Sequence, residues 1–241
     1  MVFGQTLSPL LDFVYPRPCA VCGTGVGERG RHLCWDCRSD VSLIQFPFCS
    51  WCGDPVQGQV DASYVCSWCR RRPPAFDRAR SAAHYEGPVQ HCVKAFKYRR
   101  ATHLVKELGA VLAGCVDVHY ADAVIDAVTY VPLHGRRHRE RTFNQSCLLA
   151  QYVARRSGLT LSDAGLYRTR HTDTQALLNG AARRRNVEGA FAVKPTGWVS
   201  GRSLLLIDDI MTTGATVDAV ADALKQAGAH RVWVATVGRG V

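Results

Sequence analysis

The sequence predicts an α/β protein, a parallel sheet with helices on both faces preceded by a small cysteine-rich module, and three observations carry that prediction. From residue 76 onward, short apolar runs alternate with helically spaced segments, the pattern of parallel strands joined by crossover helices. The stretch LLLIDDIMTTGAT, Leu204 to Thr216, reads as a strand, a loop and a helix start, with two carboxylates and a run of small hydroxylated residues between the apolar parts. Eight of the eleven cysteines fall into four C-x2-C pairs between Cys19 and Cys69.

The chain has 241 residues, room for one medium domain and a small one, and its 47% hydrophobic content can fill a core. Net charge is +10, and residues 131 to 185 hold eleven arginines against Glu140, Asp163 and Asp173, a surplus of eight. Such a span suits pyrophosphate or nucleic acid, although solvated arginine-rich faces also occur. Residues 1 to 18 lack a basic n-region, and Asp12 and prolines interrupt their apolar run, so neither a signal peptide nor an anchor is expected there. No run of eighteen apolar residues occurs, so the expectation is a soluble, cytoplasmic chain. The expected organisation is an N-terminal amphipathic segment over 1–18, a metal module over 19–72, and an α/β domain over 76–241. In the first of these, Leu7, Leu10, Leu11 and Val14 have helical spacing suited to packing on the body of the protein.

The four cysteine pairs are Cys19/Cys22, Cys34/Cys37, Cys49/Cys52 and Cys66/Cys69. Two such pairs supply four thiolates to a tetrahedral Zn2+, and the short spacing lets backbone N–H groups support the sulfurs. Disulfides are the alternative, but a cytoplasmic chain has no reason to prefer them. Consecutive pairing into two zinc ribbons is the natural arrangement, and an interleaved cross-brace stays open. Gly23 and Gly53 each follow a pair, where a positive φ is often needed, which reads as an internal duplication. With little apolar core of its own, the module should draw most of its folding free energy from the metal. His32 is expected at the surface, Trp35, Trp51, Tyr64 and Trp68 either pack the module or stack on bases, and Cys92, Cys115 and Cys147 read as buried thiols.

A linker, Arg70 to Pro74, leads to a strand over Phe76–Tyr85 and a helical stretch over Gly87–Val118 with a break at Arg99–Thr102. A strand over Ala123–Val131 is stopped by Pro132, and a helix over Asn144–Arg156 and a strand near Leu166–Arg168 follow. The signature unit supplies a strand at Leu204–Ile207 and a helix at Val217–Ala227, and a strand over Arg231–Val237 closes the domain. In such a sheet, ligands bind at the carboxyl ends of the strands, where both the TTGAT loop and Pro132-Leu133-His134 fall.

At the TTGAT loop, a helix N-terminus offers unsatisfied N–H groups and the positive end of its dipole, so an oxyanion is welcome there. Gly214 lets the backbone approach, and the hydroxyls of Thr212, Thr213 and Thr216 add donors beside Ala215. Asp208 and Asp209 can accept from vicinal sugar hydroxyls or help hold a divalent cation. A capped turn is the bland reading of such a loop. No GxxxxGK[ST] or GxGxxG pattern occurs in the chain. The whole string resembles the phosphoribosyl pyrophosphate signature of type I phosphoribosyltransferases. That resemblance implies that Asp208 and Asp209 hold the ribose hydroxyls and that Thr212 to Thr216 wrap the 5′-phosphate. In those proteins an earlier loop faces the pyrophosphate, and here it carries His134, Arg136, Arg137, Arg139 and Arg141. Thr172 to Phe191, with Arg183, Arg184 and Arg185, sits where they have a mobile closing loop, a solvated loop being the alternative.

Five segments in order, the cysteine module, FDRARSAAHYEGP with AFKY at 95–98, PLHxRRxRERxFNQ, TQxxL with RRRNxxGAF, and LLIDDIMTTGAT, resemble the ComF family across nearly the whole chain. Thr142 departs from the family pattern, which has glycine before FNQ, and Asn179-Gly180 replaces a polar-basic pair. The resemblance implies a phosphoribosyltransferase-like fold with an N-terminal double zinc ribbon, two structural Zn2+ sites, Mg2+ with phosphoribosyl pyrophosphate, and a link to uptake of transforming DNA. As an enzyme, the chain would displace pyrophosphate at C1 toward an acceptor that the sequence does not name, with the zinc module standing where the fold carries a variable hood. The alternative is a non-catalytic sensor of that ligand or of a nucleotide that also binds single-stranded DNA or competence-machinery proteins.

Overall fold

The computed structural model describes residues 17–27, 31–134, 142–170 and 180–240; Leu7, Leu10, Leu11 and Val14 lie outside them. The first ribbon pairs β1 (Arg17–Pro18) with β2 (Gly25–Val26) and ends in a short helix α1 (Trp35–Ser39). The second ends in α2 (Ser67–Arg71). After β3 (Arg78–His84), α3 (Gly87–Tyr98) starts on Gly87-Pro88, with the proline at a position where no intrahelical N–H is required. A 3₁₀ turn over Thr102–Leu104 separates it from α4 (Val105–His119), and Arg100 at φ 55° makes the break expected there. Next come β4 (Ala127–Tyr130) and α5 (Gln145–Ser157), the latter capped by Asn144 and closed by Gly158 at φ 67°. The chain continues through β5 (Thr160–Leu161), β6 (Leu166–Arg168), α6 (Gly180–Val187) and β7 (Phe191–Val193). It ends with β8 (Ser203–Met211), α7 (Ala215–Gln226) and β9 (Arg231–Arg239).

Five strands form a wholly parallel sheet in the order β3-β9-β8-β4-β5. Side chains alternate along β8: Leu205 and Ile207 join the core under α3, α4 and α5, whereas Leu204 and Leu206 join the core under α7. All four are fully buried, each worth about 1.5–3 kcal/mol against exposure as an upper bound. Both faces are therefore covered by helices, as expected.

Several boundaries differ from the expectation. β8 runs on to Met211 because β9 keeps pairing with it through Thr236, Gly238 and Arg239. α7 starts at Ala215, two residues before the apolar spacing shows it. Leu166–Arg168 is not a strand of the sheet; it pairs antiparallel with β7 in a separate two-stranded sheet, and the outer position beside β4 belongs to the two-residue β5. The expected closing loop is helical over Gly180–Val187 and extended over Phe191–Val193; residues 171–179 lie outside the described ones.

The ribbons do not stand apart as a self-contained module. Cys19, Leu33 and Cys34 belong to the core under α3, α4 and α5, and Cys49, Cys52 and Cys69 to the core under α7, so the two ribbons serve opposite faces of one sheet. Between them, residues 42–51 run along the outer edge of β3. The Ile44 N–H donates to Ala82 O at 3.0 Å, the His84 N–H to Ser42 O at 2.8 Å and the Ala79 N–H to Trp51 O at 2.7 Å. An edge that would otherwise template foreign strands is thereby occupied. Glu107, 6% exposed, accepts the His32 N–H at 2.9 Å, and Arg239 reaches Asp54 at 2.8 Å, tying each ribbon to the larger body. The ribbons thus draw stability from shared apolar packing as well as from any metal. His32 is half-buried against His103, ring centroids 4.4 Å apart, rather than at the surface.

Candidate functional site

Asp208 and Asp209 lie near the carboxyl end of β8, the central strand of the five, and the chain then turns through Thr212–Gly214 into α7. Gly214 sits at φ 77°, a left-handed conformation that a Cβ would strain, which places the first N–H groups of α7 at the mouth of the loop. The Thr213 hydroxyl accepts from the Ala215 N–H at 3.4 Å, so this side chain helps hold the loop while its own O–H stays a possible donor. The space bounded by Asp208, Thr212 and Gly214 to Val217 is about 20 Å³, so an oxyanion would rest on this loop rather than inside a chamber.

The two carboxylates have different partners. Asp208 accepts from the Ser146 hydroxyl at 2.8 Å and from the Asp209 N–H at 2.9 Å. Asp209, 7% exposed, is bridged by the Lys97 ammonium at 2.9 Å. Burial, with the neighbouring charge of Asp209 second, pushes the Asp208 carboxyl up to about 7. A carboxylate held this way gains from a cation or from hydroxyl donors. Lys97 at the end of α3 and Ser146 in the first turn of α5 are site residues that sequence reasoning did not single out. Lys97 sits inside AFKY and Ser146 directly follows FNQ, and only the fold shows that α3 and α5 converge on the end of β8.

Asn144 positions Ser146: its Oδ1 accepts from the Ser146 N–H at 3.0 Å and its Nδ2 donates to Val131 O at 3.0 Å, joining the end of β4 to the start of α5. Thr142, two residues earlier, has φ 67°. A β-branched residue in that region is strained, and the glycine that the resemblance implies at this position would not be. Thr142→Gly should raise the melting temperature by about 2–4 °C, since a left-handed L-residue costs about 1–2 kcal/mol and glycine's greater freedom when unfolded takes part of that back. A lower melting temperature would mean that the threonine side chain contributes more than its backbone costs. His134 lies just past β4, half-buried, whereas Arg136, Arg137, Arg139 and Arg141 fall outside the described residues. Arg183 and Arg184 are on α6, and their side chains also lie outside the description.

The cysteine sulfurs gather into two tetrads, Cys19/Cys22/Cys34/Cys37 and Cys49/Cys52/Cys66/Cys69, each with its ligand atoms within 4.8 Å of one another. The pairing is consecutive, not interleaved. A tetrahedral Zn2+ with sulfurs at about 2.3 Å requires sulfur separations of about 3.8 Å. Cys22 and Cys34 are 3.6 Å apart, and Cys52 and Cys66 3.9 Å. Backbone N–H groups support the sulfurs in the same way in both ribbons: Cys34 N to Cys19 Sγ at 3.4 Å and Cys37 N to Cys34 Sγ at 3.5 Å, Cys66 N to Cys49 Sγ at 3.3 Å and Cys69 N to Cys66 Sγ at 3.5 Å. Hydrogen bonding to Cys49 pushes the Cys52 thiol up to about 12, so these sulfurs do not all ionise together without a cation. Donor set, spacing and supporting N–H groups fit structural zinc. Of the lone cysteines, Cys92 and Cys115 are buried and Cys147 half-buried. Among the aromatics, Trp35 is 73% and Trp68 44% exposed, while Trp51 packs on the core.

Two family models match separate parts of the chain. A double zinc ribbon domain matches residues 10–73, and a phosphoribosyl transferase domain matches residues 144–240. The DNA utilization protein YhgH of Salmonella typhi is 32% identical over 216 residues, covering 84% of this chain and 94% of its own. Competence protein F of Haemophilus influenzae is 26% identical over 220 residues, covering 90% and 94%. Competence protein ComFC of Bacillus subtilis is 27% identical over 203 residues, covering 81% and 79%.

Proposed function

Because the chain belongs to the ComF family, whose members join a double zinc ribbon to a phosphoribosyltransferase domain, we propose that it binds phosphoribosyl pyrophosphate with Mg2+ at the end of β8 and transfers the phosphoribosyl group to an acceptor. The observation that carries this reading is one arrangement: two adjacent carboxylates, one with a raised proton affinity, beside a glycine-initiated helix N-terminus with a threonine hydroxyl at its mouth.

In this reading Thr212 to Thr216 bind the 5′-phosphate through backbone N–H and hydroxyl donors. Asp208 and Asp209 take the ribose hydroxyls and are the residues that would hold Mg2+, which when bound screens charge on the departing pyrophosphate. Ser146 fixes the Asp208 carboxylate, and Lys97 balances Asp209, so the sugar meets oriented groups. Fixed electrostatics of that kind supply much of the acceleration in displacements that build positive character at C1. His134, Arg136, Arg137, Arg183 and Arg184 are assigned to the pyrophosphate side. The eight tetrad cysteines are assigned to two structural Zn2+ ions, and the second ribbon, tied to the end of β9 through Arg239, borders the acceptor side. The names of the relatives set this activity in competence and the use of DNA.

Isothermal titration tests the reading. Wild-type protein should bind phosphoribosyl pyrophosphate with Mg2+ at millimolar concentration or below. Thr213→Val removes one hydrogen bond to a charged group, worth about 1.5–3 kcal/mol, and should weaken that binding roughly ten- to a hundredfold. Changing Asp208 and Asp209 together to asparagine should weaken phosphoribosyl pyrophosphate more than free pyrophosphate. No wild-type binding, or equal binding by the variants, would leave the fold without this function.

A further inference from the structure

One side chain joins the second ribbon to the loop that starts α7. Arg239, the last residue of β9, has a side chain only 10% exposed, and its guanidinium forks onto the turn between Cys49 and Asp54. Nη2 lies 2.8 Å from Asp54 Oδ1, Nε donates to the same oxygen at 3.0 Å, and Nη1 donates to Cys52 O at 3.2 Å. Both partners sit on the turn that presents two sulfurs of the second tetrad. Within it, the Cys49 N–H donates to Asp54 O at 2.9 Å and the Gly53 N–H to Cys49 O at 2.9 Å, so the place of Asp54 depends on how the turn closes.

The backbone of the same arginine borders the candidate site. Arg239 is the partner of Met211 in the pairing of β9 with β8, and the Gly240 N–H donates to Met211 O at 2.9 Å. Gly240 also lies so close to Thr212 that a Cβ on it would stand 2.9 Å from the threonine methyl. Hydrogen bonds and packing therefore run without a gap from a cysteine turn to the first residue of the TTGAT loop. The first ribbon is tied to Glu107 on α4 instead.

We propose that Arg239 is a positioning residue that couples the second zinc site to the phosphate loop. An ordered cysteine turn then holds the loop in its binding shape, and a ligand on the loop tightens the hold on the metal. This inference rests on the proposed role of Thr212 to Thr216 and adds a regulation to it: ligand binding follows the zinc content of one ribbon. Coupling of this kind is reciprocal, with factors of about 5- to 150-fold. A planar fork suits the task because it fixes direction as well as distance, which an ammonium does not.

The test compares wild type with Arg239→Met, which keeps the stem and removes the fork, and with Arg239→Lys, each as the full chain loaded with zinc. Without ligand, hydrogen exchange over residues 211–216 should be at least about tenfold faster in Arg239→Met. One of its two zinc ions should pass to a chelator at least about fivefold faster. Arg239→Lys should fall between the two, while exchange over residues 31–37 of the first ribbon and release of the other ion stay as in wild type. Phosphoribosyl pyrophosphate with Mg2+ should slow release of the sensitive ion from wild type and leave it unchanged in Arg239→Met. A change at one end only, at neither end, or equally in the first ribbon would overturn the coupling, as would bound ligand that leaves zinc release from wild type unaltered. If the ligand-free results hold while titration finds no binding by wild type, the coupling between turn and loop stands and the phosphoribosyl reading falls.

Discussion

Cys66→Ser should lower the zinc content from two ions per chain to one and the melting temperature by about 10 °C or more. The expected size follows from the position of Cys66. Its sulfur belongs to the second tetrad and caps α2 by accepting the Cys69 N–H, and Cys69 lies in the core under α7 with Cys49 and Cys52. Structural Zn2+ contributes up to about 10–16 kcal/mol in isolated zinc-finger peptides. Loss of even 3–5 kcal/mol of that in a chain of this size shifts the transition by about 10 °C. Cys34→Ser should remove the other ion and loosen the opposite face of the sheet, with Cys19 and Leu33. Elemental analysis and a thermal melt on each variant decide the matter. Wild-type protein without zinc and with paired thiols would defeat the assignment, as would two ions retained after either substitution.

Asp208→Asn should pull stability and ligand binding in opposite directions. The carboxyl has its usual value of 3.8 in the unfolded chain and about 7 in the fold. The native state therefore holds a proton that the unfolded chain releases. The stability this contributes is fully present below about pH 4 and is lost as pH rises toward 7. Asparagine resembles the protonated form at every pH, so the variant escapes that loss. It should match wild type near pH 4 and exceed it at pH 8, by up to about 4 kcal/mol, without Mg2+ or ligand present. Phosphoribosyl pyrophosphate should bind the same variant more weakly. Equal melting temperatures at pH 8 would show that Asp208 ionises there without penalty, and the raised proton affinity assigned to it would be wrong.

Much of this site was legible because its signals are local. Four apolar residues followed by two aspartates and TTGAT lie within thirteen consecutive positions, and each cysteine pair lies within four. The break after α3 was readable from Arg99–Thr102 for the same reason. What escaped depends on partners distant in the chain. Thr160–Leu161 is too short to show a period, and only Val128 and its neighbours make it a strand. Leu166–Arg168 has strand character, yet its choice of β7 over the sheet is a tertiary matter. Ser146 and Lys97 became site residues only when α5 and α3 met the end of β8. The early start of α7 was hidden because glycine and threonine are weak helix formers, and the left-handed turn at Gly214 is what begins the helix there.

The pairing of β3 with β9 has a consequence for how the protein comes into being. A ribosome delivers residues 78–84 long before 231–239, and about 150 residues of synthesis intervene. At about 5–20 residues per second that interval lasts on the order of 10–30 s. Throughout it the inner edge of β3 has no permanent neighbour, while its outer edge can already be covered by residues 42–51, which emerge first. Metal captured during translation would therefore guard one side of an unfinished sheet, and a cell short of zinc would expose both sides of that strand to other nascent chains.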